Sequence, residues 1–460
     1  MVTTRSQVST FSPPTPTTSS SSSVTDASSD EKQQTIAIIG TGWAGWTLAQ
    51  DLNPRNARIV LISPHRTMAL TPLLASAACA IFDFRLAEEP VRRRNRSFQK
   101  YQANVSSIDF GSKTISCTSA IGSQRSGLSQ EDIESGKGFE VQYDKLILAP
   151  GCETNTFGTP GVKEHALFMK SVKDARTLRE RLLDCFEEAS LPTLSDQQRK
   201  DILHFAIVGG GPTGVELAAE LDELVQQHLL AVYPHLKGLP TISVYDVADR
   251  LLGQFGEKLS QYAMSQFTAR ENVTICTERH IEEVHKDALI VKEEGRVGFG
   301  VCVWAVGNKA CKMVEELNVR KTEKGIERIL TDSHLRVLQP DSKSGNKVLE
   351  GVWALGDAAD IQGNSLPTTA EVAVQKAKWL AKCINSGEMG GKFEYKNKAL
   401  VAYIGRGDGV IEGNQDWTGA SAWLAWRSGS LEWTRSWRRR VMIFVNWVAN
   451  WIDGREVARR

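Results

Sequence analysis

Two glycine-rich loops carry the residues best suited to chemistry in this chain. The first is Gly40-Thr41-Gly42-Trp43-Ala44-Gly45, directly after the apolar run Thr35-Ile36-Ala37-Ile38-Ile39. The second is Gly209-Gly210-Gly211-Pro212-Thr213-Gly214, directly after Phe205-Ala206-Ile207-Val208. In each, the first glycine permits a tight strand-to-helix turn. The second lets the backbone approach a pyrophosphate, and the third lets helix and strand pack closely. The free N–H groups and positive end of the following helix then hold the phosphates. One such loop is weak evidence. Two, about a domain length apart, point to two dinucleotides held face to face, and so to redox chemistry.

Further residues fit that chemistry. The strand Gly351-Val352-Trp353-Ala354-Leu355 ends in Gly356-Asp357. In two-dinucleotide flavoproteins such a strand returns to the first domain, and its acid bonds the ribityl chain of FAD. The stretches ending at Gly151 and at Gly307-Asn308 read as crossovers between the nucleotide domains. Asp246 closes the second strand of the second unit, after Thr241-Ile242-Ser243-Val244-Tyr245. An acid there accepts hydrogen bonds from ribose hydroxyls and repels a 2′-phosphate, which favours NADH over NADPH. Arg250, four residues on, moderates that preference. The corresponding strand of the first unit, Arg58-Ile59-Val60-Leu61-Ile62, ends at Ser63 instead. FAD is therefore assigned to the first site from domain order and Asp357. A helix is expected to begin near Thr369 and Ala370, after Pro367, with its positive end toward the flavin.

The elements that must position these residues give an α/β fold class, with two dinucleotide-binding Rossmann-like domains and a C-terminal amphipathic helical segment. Residues 1–34 read as a Ser/Thr-rich disordered tail. Two readings of that tail stand, a mitochondrial transit peptide or a flexible extension. Residues 35–200 and 321–395 form the FAD-binding domain, 201–320 the NADH-binding domain, and 396–460 the C-terminal region. The polar stretch 119–139 reads as a long loop or hairpin tip.

Composition excludes several function classes. A net charge of +1 argues against a nucleic-acid surface. The eight cysteines form no C-x-x-C or C-x4-C pair, which argues against a dithiol relay and against a zinc site. No metal is expected, and no calcium loop of the D-x-D-x-D-G type occurs. Seven of the twelve tryptophans lie at 417, 423, 426, 433, 437, 447 and 451. Trp437, Val441, Phe444, Val445, Val448 and Ile452 fall on one helical face. Arg438, Arg439 and Arg440 precede this run, and Arg455, Arg459 and Arg460 follow it. Tryptophan with flanking arginine suits a helix lying in a membrane interface, whereas a core-docking or dimerisation helix would read the same way. The run is too short to span a bilayer.

From about residue 35 to the C-terminus the chain resembles the type II NADH dehydrogenases, the single-subunit, rotenone-insensitive NADH:quinone oxidoreductases, and its fungal members in particular. The resemblance rests on Ile62-Ser63-Pro64 with Leu70-Thr71-Pro72-Leu73-Leu74, on Gly209 through Glu216, and on Trp304-Ala305-Val306-Gly307-Asn308-Lys309-Ala310. Leu400-Val401-Ala402-Tyr403-Ile404-Gly405 and the ending Trp426-Arg427 through Gly454-Arg455 also fit. It implies FAD and NADH as cofactors, a quinone acceptor, and a membrane-docking C-terminal segment over residues 417–460 that commonly also makes a homodimer. The implied location is the mitochondrial inner membrane, peripherally bound, or otherwise a cytosolic membrane surface. Trp43, Thr71 and Pro72 would stand on the flavin side, and Glu216 near the nicotinamide ribose and flavin. The quinone-side helix departs from the family's Pro-Pro-Thr-Ala-Gln. Here Pro367-Thr368-Thr369-Ala370-Glu371 replaces it, while Gln375 keeps the second glutamine. Glu371 and Gln375 are then the residues expected beside the quinone. Three alternatives stay open. They are a soluble NAD(P)H-dependent flavin oxidoreductase acting on a quinone-like small molecule of a biosynthetic pathway, an apoptosis-inducing-factor-like flavoprotein, and a membrane scaffold without turnover.

Overall fold

The computed structural model describes residues 33–92, 98–121, 138–340, 347–413 and 415–457. The Ser/Thr-rich tail up to residue 32, most of the polar 119–139 stretch, and Arg459 and Arg460 lie outside these residues.

Each glycine-rich loop grows out of the central strand of a parallel sheet. In the first half, Thr35–Ile39 lies between Arg58–Ser63 and Lys145–Leu148, with Ile39 opposite Ile62 and Leu148. Phe98–Asp109 and Val348–Ala354 extend the sheet on either side. From Ile36 to Ile39 the run is apolar at every position because both faces are covered. Ile36 and Ile38 pack with Trp46 and Leu48 of the Trp43–Asp51 helix, whereas Ala37 and Ile39 pack with Ile115 and Val314.

The second half repeats the pattern. His204–Val208 lies between Thr241–Tyr245 and Val301–Trp304, with Val208 opposite Tyr245 and Trp304. Val273–Cys276 and Leu167–Phe168 flank it, all strands running parallel. The second sheet thus takes one edge strand from ahead of residue 201. Chain crossings between the halves form a ribbon of their own, Cys152–Thr154 pairing antiparallel with Asn308–Ala310.

After these halves come three antiparallel strands, Leu400–Gly405, Asp408–Glu412 and Trp417–Gly419. Arg406 and Gly407 join the first two with positive φ of 56° and 70°, which a two-residue turn of this hand needs. Two helices end the described chain, Ala420–Trp433 and Trp437–Asp453. On the second, the apolar face read from the sequence is turned outward. Trp437, Val441, Phe444, Val445, Val448 and Ile452 are 41–78% exposed. Ile443 is fully buried and Asn450 donates to the Ile81 carbonyl at 2.8 Å, so the opposite face meets the body of the protein. No described helix is long and apolar enough to cross a membrane.

Candidate active site

Sterics fix both loops. Gly40 and Gly209 turn with φ of 95° and 121°, where only glycine is unstrained. A Cβ on Gly45 would stand 2.1 Å from the Gly40 carbonyl oxygen, and one on Gly214 would stand 1.9 Å from that of Gly209. Gly42 and Gly211 differ, since a Cβ on either meets nothing within 4 Å. That open space lies where a pyrophosphate is expected. Gly42 and Gly211 are also the N-caps of their helices, and no side chain caps either one. The first-turn backbone N–H groups, in the second helix those after Pro212, therefore stay available for an anion. These residues fit a dinucleotide at each loop.

A cleft of about 400 Å³ runs between the two loops. Gly42, Trp43 and Thr71 line it from the first half, and Thr213 from the second. The crossovers add Gly151, Gly307 and Asn308, and the returning segment adds Asp357 and Ala370. Trp43 donates its indole N–H to the Thr71 hydroxyl at 3.1 Å, which fixes one wall. Pro72 lies in the short helix Thr71–Leu73 that carries this wall. Thr369 caps the Ala370–Ser386 helix, its hydroxyl accepting from the Val372 N–H at 3.3 Å. The positive end of that helix therefore opens at the cleft beside Ala370.

Asp246 and Ser63 occupy equivalent ends of the second strand of each half. Asp246 accepts from the Gly210 N–H at 2.5 Å and from the Ala248 N–H at 2.8 Å. Buried Ser63 accepts from the Thr41 hydroxyl at 2.9 Å.

The three residues expected to be catalytic stand off the cleft walls. Glu216 accepts from the Trp426 indole at 3.1 Å and the Tyr403 N–H at 3.4 Å, and burial pushes its carboxyl up to about 8. Glu371 forms an ion pair with Lys398 at 2.8 Å and accepts from Gln375 at 2.7 Å. Gln375 is bound in turn to the backbone of Lys396, at 2.9 and 3.0 Å. The sequence alone does not reveal Lys398, because nothing in its spacing links it to residue 371. The expectation that the tail arginines flank a membrane helix is corrected at two positions. Arg439 pairs with buried Glu89 at 3.5 Å, and Arg455 with Glu223 at 2.7 Å. A guanidinium is retained inside where a buried carboxylate needs a partner.

The cleft also contains residues that sequence reasoning missed. Cys152 donates its thiol to Asp357 at 3.3 Å, and burial, with Asp357 beside it, pushes that thiol up to about 12. Lys170 donates to the Asn308 side-chain oxygen at 2.6 Å, and Asn308 donates to Thr368 at 3.2 Å. Lys170 brings a basic side chain to a cleft whose acid is Asp357.

Two anion-binding loops facing one cleft, with an acid on the returning strand, define a two-dinucleotide flavoprotein. The profile of the pyridine nucleotide-disulphide oxidoreductases matches residues 34–377. A probable NADH dehydrogenase of Dictyostelium discoideum is 31% identical, over 93% of this chain and 91% of its own length. The internal alternative NAD(P)H-ubiquinone oxidoreductase A1 of Solanum tuberosum mitochondria is 30% identical, over 94% and 90%. The structure of NDH2 from Plasmodium falciparum in complex with NADH superposes with a TM-score of 0.83 at 22% identity, over 93% of this chain and all of that one. The chain belongs to the pyridine nucleotide-disulphide oxidoreductases and, within them, to the family of these NADH and alternative NAD(P)H dehydrogenases.

Proposed function

We propose that the protein is an FAD-dependent NADH:quinone oxidoreductase that works at a membrane surface without pumping protons. The observation that carries this reading is the single cleft onto which both pyrophosphate loops open. FAD, held at the first loop, supplies the two-electron carrier between NADH and the acceptor. The Gly209–Gly214 loop holds NADH, and Asp246 takes its ribose hydroxyls. Asp357, Thr71 and the Ala370–Ser386 helix terminus hold and orient the isoalloxazine end. Position and electrostatics are what the chain adds, since hydride transfer needs no acid–base side chain.

A quinone acceptor is supported by the relatives' names. The mitochondrial relatives support a mitochondrial place, and within it the peripheral inner-membrane position is part of this proposal. The outward apolar face from Trp437 to Ile452 suits a lipid interface, with Trp451, 87% exposed, at its far end. It argues against the soluble biosynthetic enzyme, and a second copy of the chain could share it in a homodimer. Glu371 and Gln375 remain the proposed quinone-side residues, now with Lys398 as the counter-ion of Glu371.

The test is NADH oxidation by purified, FAD-loaded protein with a short-chain ubiquinone, beside NADPH and a control without quinone. Fast, NADH-specific turnover supports the reading. Flavin bleaching by NADH with no quinone turnover sinks it and leaves the two-nucleotide assignment intact. For the membrane, Phe444→Glu with Val448→Glu should abolish flotation with liposomes while NADH-dependent bleaching persists. Unchanged flotation would reject docking through this face.

A further inference from the structure

One lysine is sealed inside the first half. Lys376, in the Ala370–Ser386 helix, is 1% exposed. Lysine is almost never buried this fully without a charged partner. Yet Lys376 makes a single hydrogen bond among the described residues, donating to the Ala359 carbonyl at 3.3 Å, and no carboxylate there forms an ion pair with it. The carboxylate of Asp360 is already taken, by Arg328 at 2.5 Å, Ser365 at 2.7 Å, and the N–H groups of Ile361 and Leu366 at 3.0 and 3.2 Å.

The place of that bond gives the lysine a task. Ala359 directly follows the short helix Gly356–Ala358, which carries Asp357. This turn is wedged between the Trp43–Asp51 and Ala370–Ser386 helices. A Cβ on Gly356 would stand 3.2 Å from the Ala44 side chain and 4.0 Å from that of Ala373. Ala44, Gly356, Asp357 and Ala373 all line the cleft, and Lys376, about one turn beyond Ala373, lies a layer behind them. A buried ammonium costs folding free energy, and an apolar chain of similar length would fill the same space without that cost. What the ammonium adds is a charged hold on the carbonyl at the end of the turn.

We propose that Lys376 is a positioning residue for FAD: from a layer behind the cleft, its ammonium holds the turn that presents Asp357, so that retention of the cofactor depends on a charge buried in the fold. The inference rests on the placement of FAD at the first loop. Burial brings the lysine down to about 8. Asp360 opposes that shift, Arg328 adds to it and Asp357 opposes it. Lys376 is therefore charged at neutral pH and loses its charge as pH rises through 8, so its hold on the turn is lost on the alkaline side. The other groups that meet this helix leave the task to Lys376. Glu371, on the helix itself, is paired with Lys398 at 2.8 Å, and burial raises the Tyr395 phenol near it, which stays neutral. His334 lies against the Trp379 ring, with Asp332 at 3.9 Å. Lys378 and Lys382 are exposed. Asp51 stands at the far end of the helix pair, where Asn385 donates to its backbone carbonyl at 2.8 Å.

The test times the release of FAD from the full-length, FAD-loaded protein, read as the rise of free-flavin fluorescence from neutral pH to about one unit above the lysine's value. The wild type should release FAD about tenfold faster at the alkaline end, the scale of a hydrogen bond from a charged group. Lys376→Met should release it at the faster rate throughout. A lysine that only fills space predicts otherwise: the profiles of wild type and Lys376→Met would run parallel. Asp357→Asn should also speed release at neutral pH. Adding Lys376→Met to it should change the rate by less than about twofold, because the lysine acts through the turn that bears the acid. Parallel pH profiles, or fully additive effects in the double variant, overturn the proposal. If Lys376→Met does not fold, Lys376→Gln takes its place with the same expected loss of pH dependence. A wild type that takes up no FAD would overturn the functional reading instead.

Discussion

The two nucleotide-binding halves share strand order, turn and helix, and they diverge where the loop meets the end of the second strand. In the second half Gly210 follows the turn glycine and gives its N–H to Asp246 at 2.5 Å. In the first half Thr41 holds that place and gives its hydroxyl to Ser63 at 2.9 Å. Each pair ties loop to strand, but only one brings a charge. A Cβ at Gly210 would stand 2.5 Å from Leu251 and 3.0 Å from the Asp246 carboxylate, whereas Thr41 is accommodated and buried. A Cβ at 210 would crowd Leu251 before it met the carboxylate, and in the reading proposed above the carboxylate selects a ribose without a 2′-phosphate. The hydroxyl pair secures the loop and selects neither.

The largest expected effect separates the halves outright. Gly42→Val and Gly211→Val both place a side chain in open space, so both proteins should fold. Gly42→Val should purify colourless, without FAD. Gly211→Val should purify yellow and no longer be bleached by NADH, with turnover reduced to background. Absorbance spectra with and without NADH decide it, and a colourless Gly211→Val protein would reverse the assignment of cofactors to halves.

The next effect is at the diverging position itself. Asp246→Ser makes the second half resemble the first. The ribose loses a charged acceptor, so the KM for NADH should rise roughly tenfold to a hundredfold, the scale of a hydrogen bond to a charged group. The KM for NADPH should change far less, so the preference between the two narrows. Steady-state kinetics with both nucleotides check it, and equal losses for both would show that Asp246 shapes the loop and does not read the ribose.

How far the site was legible follows from the same contrast. Gly40, Gly209, Asp357 and the cap at Thr369 were readable because each answers to a local rule, a turn, a close approach or a helix start. The outward face of Trp437–Asp453 was readable from its period, since helical spacing is a local property. Its orientation was not, because a buried and an exposed apolar face have the same spacing. Lys170, Lys398 and Tyr403 were invisible as site residues, since their partners lie far along the chain. Arg455 was read as a membrane flank because a sequence does not show that buried Glu220 and Glu223 wait beside it.

The C-terminal segment sharpens the comparison further. It binds both loop helices at equivalent positions, Arg435 donating to Thr47 at 2.8 Å and Trp426 to Glu216 at 3.1 Å. Only the second is titratable. Burial raises Glu216 from an ordinary 4.5 to about 8, so the folded protein prefers it protonated. The stability this contributes is complete below the ordinary carboxylate range and is lost as pH rises toward 8. Glu216→Gln keeps an acceptor for the indole and never ionises. Its Tm relative to wild type should therefore climb between mildly acidic pH and pH 8, whereas Thr47→Ser should show a pH-independent difference. Parallel melting curves would reject the assignment if the Glu216→Gln gap stayed constant.

The smallest effect tests whether the hydroxyl pair of the first half is only a tie. Thr41→Val keeps the shape and removes the donor. Ser63 then keeps the His65 N–H at 3.3 Å, so its oxygen is not left bare. The loss should be that of one neutral hydrogen bond, about 1 kcal/mol. In a chain of this size that lowers the apparent Tm by about 2 °C. FAD content and the KM for NADH should not change, in contrast to the change at Asp246. If Thr41→Val instead released FAD, the hydroxyl pair would be part of the cofactor site, and the two halves would be more alike than their strand ends suggest.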